Sequence, residues 1–475
     1  MNKLIRNFLS VLIGRISGHA LAFAAAVYLA RVLHPEGYGV IGFLSSYTSF
    51  FMLLAALGIP VYGVRELARI NNPDEKARFS GVWIGTNLLF ALAAYLLSVG
   101  LLYLLHIDPV IKKFGIIWGV RLIFSGASCY WIFQAHEKMG LVGIRDFLKG
   151  LLFCGTVILF VKSSDQLLAA AWLSSGSVLM GELFLMAILF SGFLGFVPRL
   201  NLYRRKTAGS LKPVVRIGFA LLMVQIYYRT DSVILEFMKG EKSVGLYSAM
   251  YQLIFVGESI AVLYFASILP RISAFWHTDR EKLSSLLSFS MSIFVVLGFL
   301  SGIVGVLFSR EIIGIIYGAS YSSSHRAFAI LIWSMVMTYT ALTPAYFLLG
   351  TKYQKECSHA TITAALVNLV LNFPLIIYYG IFGAAVATVV SKITEFAYVY
   401  RRANEKVALG WGIDRALKLA VAVIIALCVG ILNQRYEMTA VLNLALVCSS
   451  YLVAILMLRV ISIKELKRSM KAIEI

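Results

Sequence analysis

The sequence predicts an all-α polytopic membrane protein with about 14 transmembrane helices, and three observations lead to this. The 475 residues are 60% hydrophobic and only 14% charged, whereas soluble domains carry about 25% charged residues. The apolar residues come in blocks of roughly 20, the length needed to cross about 30 Å of hydrocarbon. The connections between the blocks are about 20 residues or fewer, so none of them could hold a folded soluble domain.

The apolar blocks give the candidate spans in chain order. Lys3 and Arg6 precede the first block, as in a signal peptide, but the block runs for more than roughly 20 residues and contains Arg15 and His19. We therefore expect an uncleaved first span. The predicted spans are 9–33, 38–62, 81–106, 114–135, 144–162, 167–195, 214–238, 244–269, 285–309, 326–350, 357–379, 381–400, 412–432 and 439–461.

Basic residues predict the orientation of these spans. With a cytoplasmic N-terminus, about 30 of the 43 Lys and Arg residues fall in inner segments and about 9 in outer ones, as the positive-inside rule requires. Arg145 and Lys149 are counted here with the inner loop before the fifth span. Both termini are predicted to be cytoplasmic. The net charge of +20 therefore reflects topology, and we expect no nucleic-acid partner.

A weak internal repeat predicts the domain organisation. When the chain is displaced by 206 positions, four identities fall in matching elements. We predict two six-span lobes, 1–200 and 210–402, and a terminal helix pair with a basic tail, 410–475. Lobes of this kind are related by an axis along the membrane normal, with the substrate path between them. The identities are Gly39 with Gly245, Arg65 with Arg271, Glu75 with Glu281, and Lys76 with Lys282.

The first span carries a stripe of small residues beside a polar stripe. Small residues recur every fourth position, so another backbone can approach that face closely. Arg15 and His19 lie one turn apart on the next stripe. An arginine about 10 Å into a bilayer is costly unless it faces protein or water, so we predict that this helix lines a polar cavity. The small residues are Gly14, Gly18, Ala22, Ala26 and Ala30.

Polar and charged side chains inside the spans are the candidate site residues, because charges at this depth usually mark a pathway. Arginines in a low-dielectric cleft would hold a phosphate or diphosphate through bidentate contacts. Buried acids could bind a proton or Na⁺ and couple transport to a gradient. The predicted substrate-binding set is Arg15, His19, Arg121, Gln225 and Arg229, and the predicted coupling set is Asp231, Glu258 and Glu182.

Other interpretations of these residues stay open. Lys392 and Glu395, three apart on one span, favour a local ion pair over a site. Arg121 is near enough to a span end to extend its charge to the interface. His19 fits a helix–helix hydrogen bond or a titrating group. The deep set has four bases against four acids, so mutual ion pairing without an anion site is an alternative.

Motifs of soluble enzymes are missing from the sequence. There is no Walker loop and no HExxH motif, so we predict no catalytic residues, no metal site, no nucleotide-driven transport and no cofactor apart from a coupling H⁺ or Na⁺. The five cysteines fall mostly in apolar blocks without paired spacing, as buried small hydrophobes do.

Four segments resemble motifs of the Wzx-type polysaccharide flippases, which belong to the multidrug/oligosaccharidyl-lipid/polysaccharide exporter superfamily. ARVLHPEGYG at 30–39 resembles A-R-x-L-G-P-E-G-Y-G, and GVRELA at 63–68 resembles G-x-R-E-x-A. WIFQAHEKM at 131–139 resembles W-x-F-Q-G-x-E-x-M, and VGLYS at 244–248 resembles V-G-x-Y-S. His34 stands where Gly is usual, and Ala135 where Gly is common.

The resemblance implies a flippase that moves an undecaprenyl-diphosphate-linked oligosaccharide across the bacterial plasma membrane. It implies a V-shaped, two-lobe, alternating-access fold with a cationic cavity. Expected partners are this substrate, membrane lipids and possible polysaccharide polymerase or chain-length proteins. A cation-coupled multidrug or metabolite antiporter of the same superfamily is the alternative. A membrane glycosyltransferase or polymerase is a third candidate, although it would need a large extramembrane domain.

Overall fold

The computed structural model describes the backbone of residues 3–105, 107–201 and 211–461, and the side chains in these ranges from residue 17 onward except residue 220. Within them the regular elements are helices. In chain order they are α1 (Lys3–Ala56), α2 (Ile59–Leu67), α3 (Pro73–Leu104), α4 (Pro109–Gly126), α5 (Tyr130–Ala135), α6 (Met139–Phe160), α7 (Leu167–Phe190), α8 (Leu211–Lys239), α9 (Glu241–Thr278), α10 (Arg280–Leu307), α11 (Ser309–Tyr317), α12 (His325–Leu349), α13 (Gln354–Tyr379), α14 (Ile381–Asn404), α15 (Ile413–Arg435) and α16 (Ala440–Met457).

The all-α polytopic prediction is confirmed, since twelve described helical segments are long and apolar enough to cross a membrane. One of them, Ser17–Leu67, has 51 residues and bends at His34 (φ 56°), so it covers most of the first predicted span and the whole of the second. Helix α6 matches the fifth predicted span but carries Arg145, Asp146 and Lys149, which keeps it out of the twelve. With these two adjustments the segments account for the 14 predicted spans.

Polar side chains cap the first turns of α3 and α10. Asn72 Oδ1 accepts hydrogen bonds from the backbone N–H of Asp74 (2.8 Å) and Glu75 (3.4 Å) at the start of α3. Asp279 does the same for α10, accepting from Glu281 at 3.1 Å and from Lys282 at 2.9 Å. These contacts satisfy backbone donors that the first helical turn leaves free, and they fix where each span begins.

The chain divides into two compact units. Unit 1 comprises Met1–Glu236 with Gly240–Gly245, and unit 2 comprises Phe237–Lys239 with Leu246–Ile475. The predicted lobe boundaries at 1–200, 210–402 and 410–475 rest on repeat symmetry, which this division does not test, so they stay a prediction.

In unit 1, α1 packs along α6, while α4 packs against both α3 and α7. The core at one end of this unit is aromatic, with Trp83 and Trp131 fully buried. A Cβ on Gly63 would lie 2.6 Å from the Trp131 ring, so two of the resemblance motifs, 63–68 and 131–139, meet in this core. The amino-terminal part of α8 lies against the turn at Leu57 and Gly58.

In unit 2, α14 packs against α12 and α13, and α10 packs against α12. The terminal pair α15 and α16 packs together and joins α10 through an apolar cluster. Tyr451 of α16 anchors this cluster, since its buried hydroxyl donates a 3.0 Å hydrogen bond to the Val296 carbonyl in α10.

Candidate functional site

The small-residue stripe of α1 allows a direct backbone contact with α6. A Cβ on Gly18 would lie 2.7 Å from the Asp146 carbonyl oxygen, and a Cβ on Gly150 would lie 2.7 Å from that of Gly18. At Gly18 the predicted close packing is confirmed. His19, on the adjoining stripe, is exposed. The side chain of Arg15 lies outside the described residues.

A buried charge cluster lies between α6 and α7 in unit 1. The Arg145 guanidinium donates two hydrogen bonds to Asp146 (2.7 and 3.0 Å) and one to Glu182 Oε1 (3.4 Å), and it stacks 5.1 Å from the Tyr130 ring centre. Lys149 Nζ lies 3.8 Å from the same Glu182 oxygen. The side chain of Glu182 is only 5% exposed. Glu182, predicted as a coupling acid, is thus the shared counter-ion of two cations.

Two arginines of unit 1 have no such counter-ion. Arg121 of α4 stacks 4.8 Å from the Trp118 ring centre, and its Nε is fully enclosed without a hydrogen-bond partner. Arg229 of α8 lies close enough to repel the charge of Arg121 electrostatically. Among the described residues, neither arginine lies within 4.0 Å of a carboxylate oxygen.

This pair of arginines has the chemistry that would favour an anionic ligand. Two like charges in a half-buried setting are mutually unfavourable, and a ligand with negative charge near both relieves the repulsion. Guanidinium groups present planar pairs of N–H donors that match phosphate oxygens. Lys149 also acts electrostatically on Arg121, so the Glu182 cluster borders the arginine pair.

The remaining predicted residues of α8 also belong to unit 1. Gln225 is half-buried, and Asp231 is buried at 3% exposure. The structure therefore places every predicted substrate-binding residue whose side chain is described in one unit: His19, Arg121, Gln225 and Arg229. Their assignment to substrate stays a prediction.

A second buried charge cluster lies in unit 2. Glu258 of α9 accepts a 2.6 Å hydrogen bond from the Thr338 hydroxyl of α12, and Lys392 of α14 attracts it electrostatically. Lys392 Nζ also lies 3.5 Å from Glu395 Oε2. The structure thus joins Glu258 to the Lys392–Glu395 pair, two predictions that the sequence kept apart.

Sequence reasoning missed Arg145, Lys149 and Thr338. Arg145 and Lys149 were treated as loop cations, whereas Arg145 is 8% exposed inside α6. Their spacing of four within an otherwise apolar block was the available signal, because it places both on one helix face. Thr338 carried no signal, since a single threonine is unremarkable in a span.

Unit 2 also holds an apolar cavity of about 570 Å³ among α10, α12, α14 and α15. Its walls include Met291, Val295, Phe396 and Leu419, and Asn404 is one of its few polar residues. Cavities of this size and polarity take apolar ligands. Among the described residues no group of three or more His, Cys, Asp or Glu side chains could hold a metal ion.

Comparison with known proteins shows a family match and several distant relatives. Residues 4–276 match the family model described as polysaccharide biosynthesis protein. A protein of Escherichia coli (strain K12), named as a candidate O-antigen transporter, is 22% identical over 417 residues, which cover 85% of this chain and 98% of the relative. A protein of Haloferax volcanii, named as a candidate low-salt glycan biosynthesis flippase, is 24% identical over 409 residues, or 82% of this chain and 81% of the relative.

A solved structure has the same fold. The lipid II flippase MurJ in an inward closed conformation superposes with a TM-score of 0.76 at 17% identity, covering 95% of this chain and 98% of MurJ. The two proteins therefore share the arrangement of their helices along nearly the whole of both chains.

Proposed function

The chain belongs to the polysaccharide biosynthesis protein family, and on that premise we propose that it is a flippase for an oligosaccharide linked to undecaprenyl diphosphate. The substrate moves from the inner to the outer leaflet of the bacterial plasma membrane by alternating access, driven by an ion gradient or the membrane potential. Both termini are cytoplasmic in this proposal. The names of the relatives, an O-antigen transporter and a glycan biosynthesis flippase, support this substrate class.

The observation that carries the proposal is the unpaired Arg121–Arg229 set. A diphosphate diester carries two negative charges where the lipid meets the sugar, and two guanidinium groups without counter-ions would hold it. Each charge-assisted hydrogen bond is worth about 1.5–3 kcal/mol. His19 and Gln225 contribute polar contacts to the sugar, and Arg15 adds a third cation on α1.

The apolar cavity of unit 2 supports a lipid-linked substrate. An isoprenoid chain has no hydrogen-bonding group, so it fits walls such as Met291, Val295 and Phe396.

Coupling is assigned to buried acids other than Glu182. Glu258, with Thr338 as its donor, and Asp231 are the residues that would bind H⁺ or Na⁺, and no other cofactor is proposed. Exchange of a proton or Na⁺ at an acid beside Lys392 is also the chemistry of a cation-coupled antiporter, which makes the multidrug or metabolite antiporter the second candidate.

The proposal describes a transporter and not an enzyme, so a glycosyltransferase is disfavoured. Polysaccharide polymerase or chain-length proteins are proposed partners.

An export assay tests the function. A flippase-null strain is complemented with the wild type, with Arg121→Gln and with Arg229→Gln, and surface glycan is measured at equal protein level. We expect each variant to lose at least tenfold in export, since one charge-assisted contact is lost.

Matched controls lie on the same helices. Lys113 of α4 and Arg216 of α8 are exposed, so Lys113→Gln and Arg216→Gln keep export. Full export from Arg121→Gln and Arg229→Gln contradicts the anion site. Drug sensitivity on deletion with normal surface glycan favours the antiporter instead.

A further inference from the structure

Two turns of unit 1, residues 34–39 in α1 and 240–245 at the start of α9, meet through their glycines. A Cβ on Gly39 would overlap the Glu241 carbonyl oxygen, and a Cβ on Gly245 would overlap the Pro35 carbonyl oxygen. Each Cβ would also lie 3.0 Å from the backbone nitrogen of the other glycine. Only glycine permits this approach of the two backbones.

The contact is reciprocal in the register of the internal repeat. Gly39 meets residue 241, and Gly245 meets residue 35; both 39 to 245 and 35 to 241 are displacements of 206, the one that the sequence repeat indicates. An exchange in which i contacts j and j contacts i is the mark of a two-fold relation. The two turns therefore face each other across the axis that relates the repeats.

Two more pairs obey the same register. Glu36 Oε1 lies 3.0 Å from Lys242 Nζ, so equivalent positions carry opposite charges and pair with each other. His34 and Gly240, also 206 positions apart, both have positive φ, 56° and 74°. The contacts between these two turns thus follow the same displacement of 206 as the four identities in the sequence.

A transport path between two repeats runs along their common axis. Segments that touch across this axis obstruct the path at that level. The turns at 34–39 and 240–245 follow the first and seventh predicted spans, which places them on the outer side in the orientation proposed above. Residues 237–239 and 246 onward belong to unit 2, and 240–245 are the part of that stretch that packs with unit 1.

We propose that the Gly39–Gly245 contact closes the outer end of the transport path. The ion pair of Glu36 and Lys242 holds this contact together, and the two turns separate once in each transport cycle. Its composition suits repeated opening. The backbone contact buries little side chain, and the ion pair is weak because Glu36 is 51% and Lys242 64% exposed. The inference rests on the proposed function.

Reversible cross-linking tests this closure. The five native cysteines are replaced, Glu36→Cys and Lys242→Cys are introduced, and a short thiol-to-thiol reagent that dithiothreitol releases joins them. We expect export to fall at least tenfold on cross-linking and to return on reduction. Asp74 and Arg199 are the matched control, since they form an exposed ion pair of 2.9 Å within unit 1. Cross-linking Asp74→Cys to Arg199→Cys leaves export unchanged.

The outcomes separate this inference from the proposed function. If the protein exports glycan before cross-linking and still exports fully after complete cross-linking, the closure alone is overturned. If the wild type does not export glycan, the proposed function is overturned. A second measurement is independent of substrate. Spin labels at positions 36 and 242 report the distance across the contact in purified protein, and Gly245→Ala is expected to shift the population toward the longer distance. A single short distance in both proteins overturns the closure.

Discussion

The Glu182→Gln variant tests whether Glu182 holds Arg145 and Lys149 in place. Glu182 lies 3.4 Å from Arg145 and 3.8 Å from Lys149, which at an effective dielectric constant of about 20 corresponds to roughly 4–5 kcal/mol for each pair. Removing a buried carboxylate also removes its own desolvation cost, and a broken buried pair costs about 3–5 kcal/mol net. Asp146 stays 2.7 Å from Arg145, so we expect the low end, about 3 kcal/mol.

Thermal unfolding in detergent measures this loss. For a unit of roughly 240 residues, each kcal/mol lowers the Tm by about 2–4 °C, so Glu182→Gln is expected to lose about 6–12 °C. The control is Glu66→Gln. Glu66 also pairs with two arginines, Arg65 and Arg69, but these are 56% and 69% exposed, so its loss stays below about 1 kcal/mol.

An equal Tm for the Glu182→Gln and Glu66→Gln proteins refutes the counter-ion role. A second measurement addresses coupling. A counter-ion leaves the pH dependence of transport by the folded variant unchanged, whereas a coupling acid shifts it. Adding Lys149→Gln to Glu182→Gln removes one stranded cation, and we expect this double variant to recover part of the lost Tm.

Three further predictions concern single side chains. His34 has φ 56° and ψ 176°, a region that costs a residue other than Gly about 1–3 kcal/mol; His34→Gly is expected to raise the free energy of unfolding in detergent by about 1 kcal/mol after the entropy cost of glycine. Thr338→Val removes the donor to Glu258 and is expected to lower the free energy of unfolding by about 1.5–3 kcal/mol, while Thr338→Ser retains it. The pKa of His136, outside the spans, is lowered from 6.5 by burial and next by the charge of Lys76. Its neutral ring therefore contributes stability above pH 6.5 that is lost as pH falls through the lowered pKa, so acidification is expected to destabilise the wild type more than His136→Gln. Each prediction has its own contradicting result. These are an unchanged Tm for His34→Gly, a Thr338→Val protein as stable as wild type, and the same dependence of stability on pH for wild type and His136→Gln.

Much of the fold follows from the sequence because the bilayer imposes a length on every crossing. Apolar blocks of roughly 20 residues predict the spans, and the break between the spans 9–33 and 38–62 predicts the turn after the first one. The exact geometry of the turn did not follow. A positive φ is uncommon for a residue other than glycine, and the contact of Pro35 and Gly39 with the turn at 240–245 is a tertiary contact that the local sequence does not specify.

The candidate site could be predicted only in part. A charge within an apolar block stands out, so Arg121, Arg229, Glu182 and Glu258 were identified. Their partners depend on which helix faces which, and that is set by tertiary packing. The pairing of Glu182 with Arg145 and Lys149 does not follow from the sequence, because the acid and the two cations lie on different helices. The average hydrophobicity along the chain does not show which charges are neutralised by a residue on a neighbouring helix.

Translocation by the purified protein in vesicles tests the central claim most directly. A fluorescent oligosaccharide on undecaprenyl diphosphate is placed in proteoliposomes, and a membrane-impermeant reductant added outside measures its movement between leaflets. We expect the wild type and the Arg216→Gln control to accelerate movement, and the Arg121→Gln/Arg229→Gln protein to lose this acceleration. A fluorescent undecaprenol without phosphate is expected to move at the protein-free rate. Equal acceleration by the wild type and the double variant would contradict the account.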